Sequence, residues 1–324
     1  MLVSVLLFAV GLVLLIKGGD WFVDGAVGIA KRFNLPDIVV GATVVSIGTT
    51  LPEVMVSTTG ALAGSGAMAY GNAIGSIICN TALIAAISIT VNPGPVNVKS
   101  MKTPAIFFFC SAALYCLAAY LLGTFPRWMG FVMLAIFVAY TLLTVRNGLK
   151  NPDAVEEEEE EGGKPKKLWQ ELLLLVIGAA VIAVGADLLV DHGQIIAIEL
   201  GVPETVVALL FVALGTSLPE LVTTITSLKK GRASLGVGNV IGANVFNLVL
   251  VSGVAVSLAP FDVPVENTLL NTGLNLSLVF DIPVMLGVMS LMIFPALLGK
   301  KLSRWQGIAL LGIYAAFCVC QFVL

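Results

Sequence analysis

Charged residues are scarce in this chain, because Asp, Glu, Lys and Arg together make up only 11% of its 324 residues. A soluble domain usually carries about 25% charged residues, so these are too few to cover a surface that faces water. Hydrophobic residues make up 58% of the sequence and the mean hydropathy is +1.02, which makes lipid the expected solvent. The net charge of −3 provides no basic surface, and no nucleic-acid partner is expected.

The residues of common catalytic and soft-metal sites are also few. His192 is the only histidine, and it is expected to pack or to lie at the membrane interface. The five cysteines lie in apolar runs without zinc-ligand spacing, so they are interpreted as small buried side chains. No zinc-protease motif, phosphate-binding loop or nucleophile elbow occurs. An enzyme or a primary pump is therefore not expected, and no resident cofactor is predicted.

Ten segments are apolar enough to span a bilayer, which takes about 20 residues per helix. They lie near 2–31, 36–62, 67–92, 103–123, 127–147, 168–198, 203–228, 233–259, 279–299 and 304–323. The predicted fold is therefore an all-α polytopic membrane protein with ten transmembrane helices. The first segment lacks the basic start and the cleavage site of a signal peptide, so it is interpreted as a retained helix.

The basic residues predict the orientation, because cytoplasmic loops carry an excess of Lys and Arg. With ten helices, 15 of the 17 basic residues fall in loops on one side. Arg127 lies in a loop on the other side, and Lys17 lies within the first helix. Both termini are therefore expected outside an inner membrane, with residues 148–167 in the cytoplasm. This segment contains the six consecutive acids Glu156 to Glu161 and is interpreted as a solvated linker.

An internal repeat determines the predicted architecture. The sequence GTTLPE ends at Glu53, and the nearly identical GTSLPE ends at Glu220. The same offset in residue number relates Pro36 to Pro203, Asn72 to Asn239 and Asn80 to Asn247. Five helices per copy is an odd number, so the second copy enters the membrane in the opposite sense, as in secondary transporters. The sequence predicts two inverted five-helix halves, 1–147 and 168–324, joined by the linker 148–167.

Glu53 and Glu220 are expected near the middle of their segments, where a carboxylate is costly and indicates function. The alternative is a structural glutamate paired with a base, but only Lys17 could lie at that depth. Each glutamate follows a proline, which frees backbone carbonyls one turn earlier. Free carbonyls are tolerated in a membrane where they line a cavity or meet a ligand, and a hard cation is such a ligand.

Further oxygen atoms are expected around the two glutamates. Thr49 and Ser46 precede Glu53 by four and seven residues, which places them on one helical face. The next helix carries a polar stripe of Asn72, Ser76 and Asn80, and its asparagines have packing as an alternative role. The second-half counterparts of these residues are Ala213, Thr216, Asn239, Ala243 and Asn247, and Thr50 corresponds to Ser217. Such an all-oxygen set suits Ca²⁺ or Na⁺ rather than zinc or copper, and protons are also possible.

The repeated motifs, G-T-[ST]-L-P-E followed by G-N-x-x-G-[SA], resemble the α-repeats of the sodium/calcium exchanger family. This family lies within the calcium/cation antiporter superfamily, and the similarity in organisation to its prokaryotic members covers essentially the whole chain. The resemblance implies a ten-helix fold, calcium export and sodium counter-transport by alternating access. It also implies that the long first and sixth helices slide against the rest to switch access.

The resemblance assigns expected roles residue by residue. Glu53 and Glu220 would bind Ca²⁺ directly, and the backbone carbonyls of Thr49 and Thr216 would complete that site. The implied ligands of the flanking sodium sites are Ser46, Thr50, Ser76, Asn80, Ala213, Ser217 and Asn247. The expected partners are the substrates Ca²⁺ and Na⁺ and the lipid bilayer, without an obligate protein partner.

Two positions depart from the family pattern. Many sodium/calcium exchangers have an acid in place of Asn247 and a serine in place of Ala243. The site then holds two formal negative charges rather than three, so three bound sodium ions would leave a net charge of +1. Proton-coupled or potassium-linked antiport is therefore an alternative. A passive cation channel and a calcium-binding sensor are the alternatives from other classes of protein.

Overall fold

The computed structural model describes residues 2–150, 167–200, 215–263 and 275–323, which are mostly helical. The first half of the chain contains α1 (Leu2–Arg32), α2 (Asp37–Thr49), α3 (Leu51–Leu62), α4 (Gly66–Val91), α5 (Val98–Leu122) and α6 (Arg127–Leu149). The second half contains α7 (Leu168–Glu199), α8 (Leu218–Lys229), α9 (Ala233–Leu258), α10 (Ser277–Gly299) and α11 (Arg304–Val323). Ala213, the start of the predicted helix 203–228 and the acidic run of the linker lie outside the described residues.

Most of these helices can cross a membrane by their length and apolar character. Over the described ranges, α1, α4, α5, α6, α7, α9 and α10 each meet this condition alone. Helices α2 and α3 are long and apolar enough to cross a membrane only when they are taken together, and the chain bends by 45° at the break between them. The prediction of an all-α polytopic membrane protein is confirmed.

Helix α5 begins at Val98 rather than near residue 103, where the sequence places its start. The side-chain oxygen of Asn97 accepts hydrogen bonds from the backbone N–H groups of Lys99 and Ser100, at 3.1 and 3.2 Å. This cap satisfies two of the free N–H groups at the helix end. The two exposed lysines before residue 103 made the segment appear to start later, although they lie within the first turns of the helix.

Helices α4 and α9 form the centre of the molecule. In their most apolar windows, 72% and 83% of the residues are buried, against 28% in α1, α6 and α7. Helix α9 packs closely on α2, from the other half of the chain, through Gly41 and Gly238. A Cβ at Gly41 would lie 2.8 Å from the backbone nitrogen of Asn239, and one at Gly238 would lie 2.8 Å from Cα of Ile38. Small residues at these positions therefore let backbones of the two halves approach each other.

Two helices of the first half begin and end at positions that recur in the second half, with the same offset in residue number as the sequence motif. The starts of α3 and α8 are related by this offset, and the two helices have equal length. The same is true of α4 and α9. Two short antiparallel strand pairs connect the halves, with β1 (Gly94–Pro95) paired to β4 (Lys301–Leu302) and β2 (Thr124–Phe125) paired to β3 (Phe261–Asp262). Each half thus contributes one strand to each pair.

Ion pairs join the two halves of the chain. The pairs are Arg32 with Glu171 at 2.8 Å, Lys230 with Asp24 at 2.6 Å, Lys230 with Asp20 at 3.8 Å and Arg232 with Asp37 at 3.2 Å. The Arg232–Asp37 pair is buried, with side-chain exposures of 7% and 8%, whereas the carboxylates that face Lys230 are half-exposed. These basic residues are therefore engaged at the helix ends.

Candidate cation site

Two short helices, α3 and α8, carry the two glutamates of the repeat in their first turn. Before α3 the helix breaks at Thr50, and Ser217 occupies the matching position before α8 with almost the same backbone angles. A proline follows within two residues of each break. Because Pro52 has no N–H, the carbonyl of Gly48 has no donor four residues further on. The start of a helix also stabilises a negative charge, so Glu53 and Glu220 lie where the backbone favours a carboxylate.

Both carboxyl groups are completely buried. The exposed fraction is 0% for Glu53 and 0% for Glu220. In the described part of the chain, none of their four carboxylate oxygens has a hydrogen-bond partner. The two groups also interact electrostatically, although they come from opposite halves of the chain. Two like charges buried together without donors are strongly unfavourable unless a cation or protons neutralise them.

Threonines of the first break lie beside the glutamate of the second half. Thr49 and Thr50 face the carboxylate of Glu220. The sequence places Thr49 on the face of Glu53, by the spacing of a continuous helix. The break at Thr50 bends that helix, and the packing of α2 on α9 brings Thr49 to the opposite half. The two repeats therefore combine across the molecule instead of forming one site each.

Two asparagines at matching positions offer further unpaired atoms. Asn80 and Asn247 are both 0% exposed, and neither the oxygen nor the nitrogen of either amide has a hydrogen-bond partner among the described residues. Each begins a wide turn of the helix with i→i+5 hydrogen bonding, over Asn80–Ala85 and Asn247–Val251. Such turns often occur at functional sites. The hydroxyls of Thr50 and Ser217 are likewise buried and unpaired within the described ranges.

Of the other predicted ligands, Ser46 and Ser76 are buried and Thr216 is half-buried, and they differ in their partners. The Ser46 hydroxyl lies 2.8 Å from the carbonyl oxygen of Gly41 and 2.9 Å from that of Asn239, and it can donate to only one of them. The Thr216 hydroxyl donates to the amide oxygen of Asn72 at 3.3 Å, and Ser76 is 3% exposed. Ala213 lies outside the described residues, so its predicted role remains a prediction.

Two hydroxyl residues next to the glutamates were not predicted from the sequence. Ser57 accepts a hydrogen bond from Asn72 at 2.8 Å, and Thr223 accepts one from Asn239 at 2.9 Å. They follow Glu53 by four residues and Glu220 by three, so the same helical spacing that indicated Thr49 could have found them. They follow the glutamate in the chain, whereas the residues predicted from this spacing precede it.

The composition of the site selects hard cations. In the residues that the structure describes, no group of three or more His, Cys, Asp or Glu side chains is arranged to hold a metal ion. The predicted ligands instead carry carboxylate, hydroxyl, amide and carbonyl oxygens. Oxygen ligands of this kind suit Ca²⁺ and Na⁺, whereas zinc and copper prefer sulfur and nitrogen.

Known proteins of one family resemble this chain over nearly its whole length. The family model described as sodium/calcium exchanger protein matches residues 3–146 and 171–323. The chain is 34% identical to an uncharacterised membrane protein of Methanocaldococcus jannaschii, over 95% of this chain and 94% of the relative. It is 29% identical to the sodium/calcium exchanger MaX1 of Methanosarcina acetivorans, over 99% of each chain.

The fold also matches a solved structure of the sodium–calcium exchanger NCX_Mj, with a TM-score of 0.80 and 32% identity over 99% of both chains. Family model, relatives and fold thus agree over nearly the whole length. The chain belongs to the sodium/calcium exchanger family.

Proposed function

We propose that this protein exchanges Ca²⁺ for Na⁺ across the membrane by alternating access, with Ca²⁺ bound between Glu53 and Glu220. The observation that carries the proposal is the pair of fully buried carboxylates, whose four oxygens have no hydrogen-bond partner in the described ranges. A divalent cation neutralises both charges and supplies the missing interactions. Membership of the exchanger family and the relative named sodium/calcium exchanger MaX1 support the same function.

We propose the ligand set that the resemblance to the exchanger family implies. Ca²⁺ takes the two carboxylates and the backbone carbonyls of Thr49 and Thr216. The flanking Na⁺ sites use Ser46, Thr50, Ser76, Asn80, Ala213, Ser217 and Asn247. The unpaired polar atoms of Thr50, Asn80, Ser217 and Asn247 in the described part of the chain support this assignment, because buried polar groups normally have partners.

The charge of the site limits the stoichiometry of exchange. With Asn247 in place of an acid, the site holds two formal negative charges, so one Ca²⁺ or two Na⁺ neutralise it. A third Na⁺ would leave a buried charge of +1, which is costly in a low-dielectric interior. We therefore propose fewer than three Na⁺ per Ca²⁺. Coupling to protons or potassium is the alternative that the transport assay below separates from sodium coupling.

The architecture proposed for this function is a ten-helix protein made of two inverted halves, 1–147 and 168–324, joined by the cytoplasmic linker 148–167. The equal bounds of α3 and α8 and of α4 and α9 support the duplication. The two strand pairs, each with one strand from each half, support a two-fold relation between the halves. An inverted pair places the site at the interface of the repeats near the midplane.

The proposed location is an inner membrane, with both termini outside and residues 148–167 in the cytoplasm. The distribution of Lys and Arg supports this orientation, since 15 of 17 fall on the side of the linker. The long helices α1 and α7 are proposed to slide together against the rest. They pack along each other and are joined by the Arg32–Glu171 ion pair.

The test is ⁴⁵Ca²⁺ uptake into proteoliposomes under an imposed Na⁺ gradient, with a pH gradient and a K⁺ gradient in parallel and Glu220→Gln as the blank. Uptake that depends on the Na⁺ gradient supports the proposal. Uptake driven only by the pH or K⁺ gradient shows that the coupling ion is H⁺ or K⁺ instead of Na⁺. Flux without any counter-ion or trans-stimulation indicates a passive pore and contradicts the exchange mechanism.

A further inference from the structure

Asn239 connects the first break to the glutamate helix of the other half. Its amide oxygen accepts a hydrogen bond from the hydroxyl of Thr49 at 3.2 Å. Its amide nitrogen donates to the hydroxyl of Thr223 at 2.9 Å, and that hydroxyl donates to the carbonyl of Pro219 at 2.8 Å. A chain of three hydrogen bonds therefore runs from Thr49 to the residue just before Glu220. Asn239 is 0% exposed, so water does not compete for these bonds.

Asn72 makes the matching connection in the other direction. Its amide oxygen accepts from the hydroxyl of Thr216 at 3.3 Å. Its amide nitrogen lies 2.8 Å from the hydroxyl of Ser57 and 3.3 Å from the backbone carbonyl of Glu53. Each asparagine thus joins the threonine of one half to the glutamate-bearing helix of the other half.

We propose that Asn72 and Asn239 are positioning residues that set the affinity of the site for Ca²⁺. Neither forms a hydrogen bond with a carboxylate, because within the described ranges the oxygens of Glu53 and Glu220 have none. They act instead on the threonines, because Asn239 fixes the hydroxyl of Thr49 and Asn72 fixes that of Thr216. This inference rests on the proposed function, since it concerns the same cation site.

The primary amide suits this role because it has a donor and an acceptor on one rigid group. One side chain can therefore fix two hydroxyls from different helices. Without the asparagine amide, the threonine of the broken turn has no fixed orientation. Part of the free energy of Ca²⁺ binding is then spent on ordering that residue. Ca²⁺ takes about six to eight oxygen ligands, so its binding depends on more prepositioned groups than the charge pairing alone.

The test is the equilibrium binding of Ca²⁺ to the purified full chain by isothermal titration calorimetry, for Asn239→Leu and Asn72→Leu. Leucine has a similar volume and removes both hydrogen-bonding atoms. We expect each variant to bind Ca²⁺ about tenfold more weakly, which is the size of effect from one or two lost hydrogen bonds. The maximum exchange rate at saturating Ca²⁺ should stay within about threefold, because the ligands themselves remain.

A partner variant separates positioning from folding. Thr223→Val removes the hydroxyl that Asn239 donates to and leaves the asparagine in place. It should weaken Ca²⁺ binding in the same direction, and the double variant with Asn239→Leu should lose little more than Asn239→Leu alone. Ser57→Ala is the equivalent variant for Asn72, and it remains informative if either leucine variant fails to fold.

The matched control is Asn244→Leu on the same helix. Asn244 is also 0% exposed, and its amide donates to Thr81, in the other half, at 2.7 Å. We expect a lower melting temperature with unchanged Ca²⁺ affinity. Equal loss of affinity in Asn244→Leu would overturn the inference, and so would unchanged affinity in the Asn72, Asn239, Ser57 and Thr223 variants. If Glu53→Gln and Glu220→Gln keep normal Ca²⁺ binding, the proposed site itself is wrong, which is a separate result.

Discussion

The carboxyl groups of Glu53 and Glu220 interact electrostatically although they belong to opposite halves of the chain. Each stands in the first turn of a short helix that follows a break, and each is fully buried. This interaction relates the two copies of one motif to each other across the halves. The role of the pair in transport can therefore be tested by substituting either glutamate.

Removal of one negative charge should abolish calcium transport. In Glu53→Gln or Glu220→Gln the amide keeps the shape of the side chain, but a single carboxylate remains to neutralise a divalent ion. A lost partner of a buried charge typically costs about 3–5 kcal/mol, so we expect Ca²⁺ uptake to fall at least about 100-fold. The measurement is ⁴⁵Ca²⁺ uptake into proteoliposomes, with size-exclusion chromatography to show that the variants are folded. Robust transport by either variant contradicts the two-glutamate site.

A third carboxylate should change the response to sodium. In Asn247→Asp the added negative charge replaces an amide that has no hydrogen-bond partner among the described residues. We expect stronger cation occupancy and a shift in the Na⁺ concentration that gives half-maximal Ca²⁺ exchange, since one more Na⁺ can be neutralised. The Na⁺ dependence of exchange measures this shift. An unchanged sodium profile would show that residue 247 lies outside the ion path.

The buried ion pair between Arg232, just before α9, and Asp37, at the start of α2, should matter for stability. Asp37→Asn removes the carboxylate that Arg232 contacts at 3.2 Å, and it leaves a buried guanidinium with one fewer anionic partner. We expect a loss of about 3 kcal/mol in the free energy of unfolding, because breaking a buried ion pair by removing one partner is strongly destabilising.

The measurement for this pair is the melting temperature in detergent. The double variant Asp37→Asn/Arg232→Met is the control, and it should recover part of the loss because it removes the charge as well. A melting temperature that is the same for Asp37→Asn and the natural chain would show that the ion pair contributes nothing to stability.

The ion pairs of Lys230 should hold the part of α1 around Asp20 and Asp24 against the turn between α8 and α9. Its ammonium contacts Asp24 at 2.6 Å and the backbone carbonyl of Asp20 at 3.1 Å. The equivalent position in the first copy of the repeat is Ala63, so that copy has no such lysine. In Lys230→Ala we expect faster hydrogen exchange of the backbone around residues 20–24, with a stability loss below about 1 kcal/mol.

Salt provides the control for the Lys230 contact. Because the two carboxylates are half-exposed, high ionic strength should reduce the difference between Lys230→Ala and the natural chain. Hydrogen–deuterium exchange at low and high salt measures both effects. The same exchange rates in the two proteins at low salt would show that Lys230 does not restrain α1.

Several features were predictable because they depend on local chemistry. The scarcity of charge and the long apolar runs predict membrane helices, and the repeated prolines predict the break before each glutamate. The start of α5 was misplaced since the cap at Asn97 lies beyond the apolar run, and caps are a weaker signal than hydrophobicity. The wide turns at Asn80 and Asn247 have no signal in the spacing of apolar residues, so they were not predicted.

The sequence by itself determined the class of protein, the two glutamates and the oxygen-rich character of their surroundings, because these follow from composition and from a motif that occurs twice. Only the tertiary structure decided which oxygens meet. Thr49 is near Glu53 in the chain, yet the structure places it beside Glu220 and joins it to Asn239. The physical reason is that glycines let α2 of the first half pack closely on α9 of the second half. A contact between residues so distant in the chain, such as Thr49 and Asn239, cannot be read from the spacing of neighbouring residues.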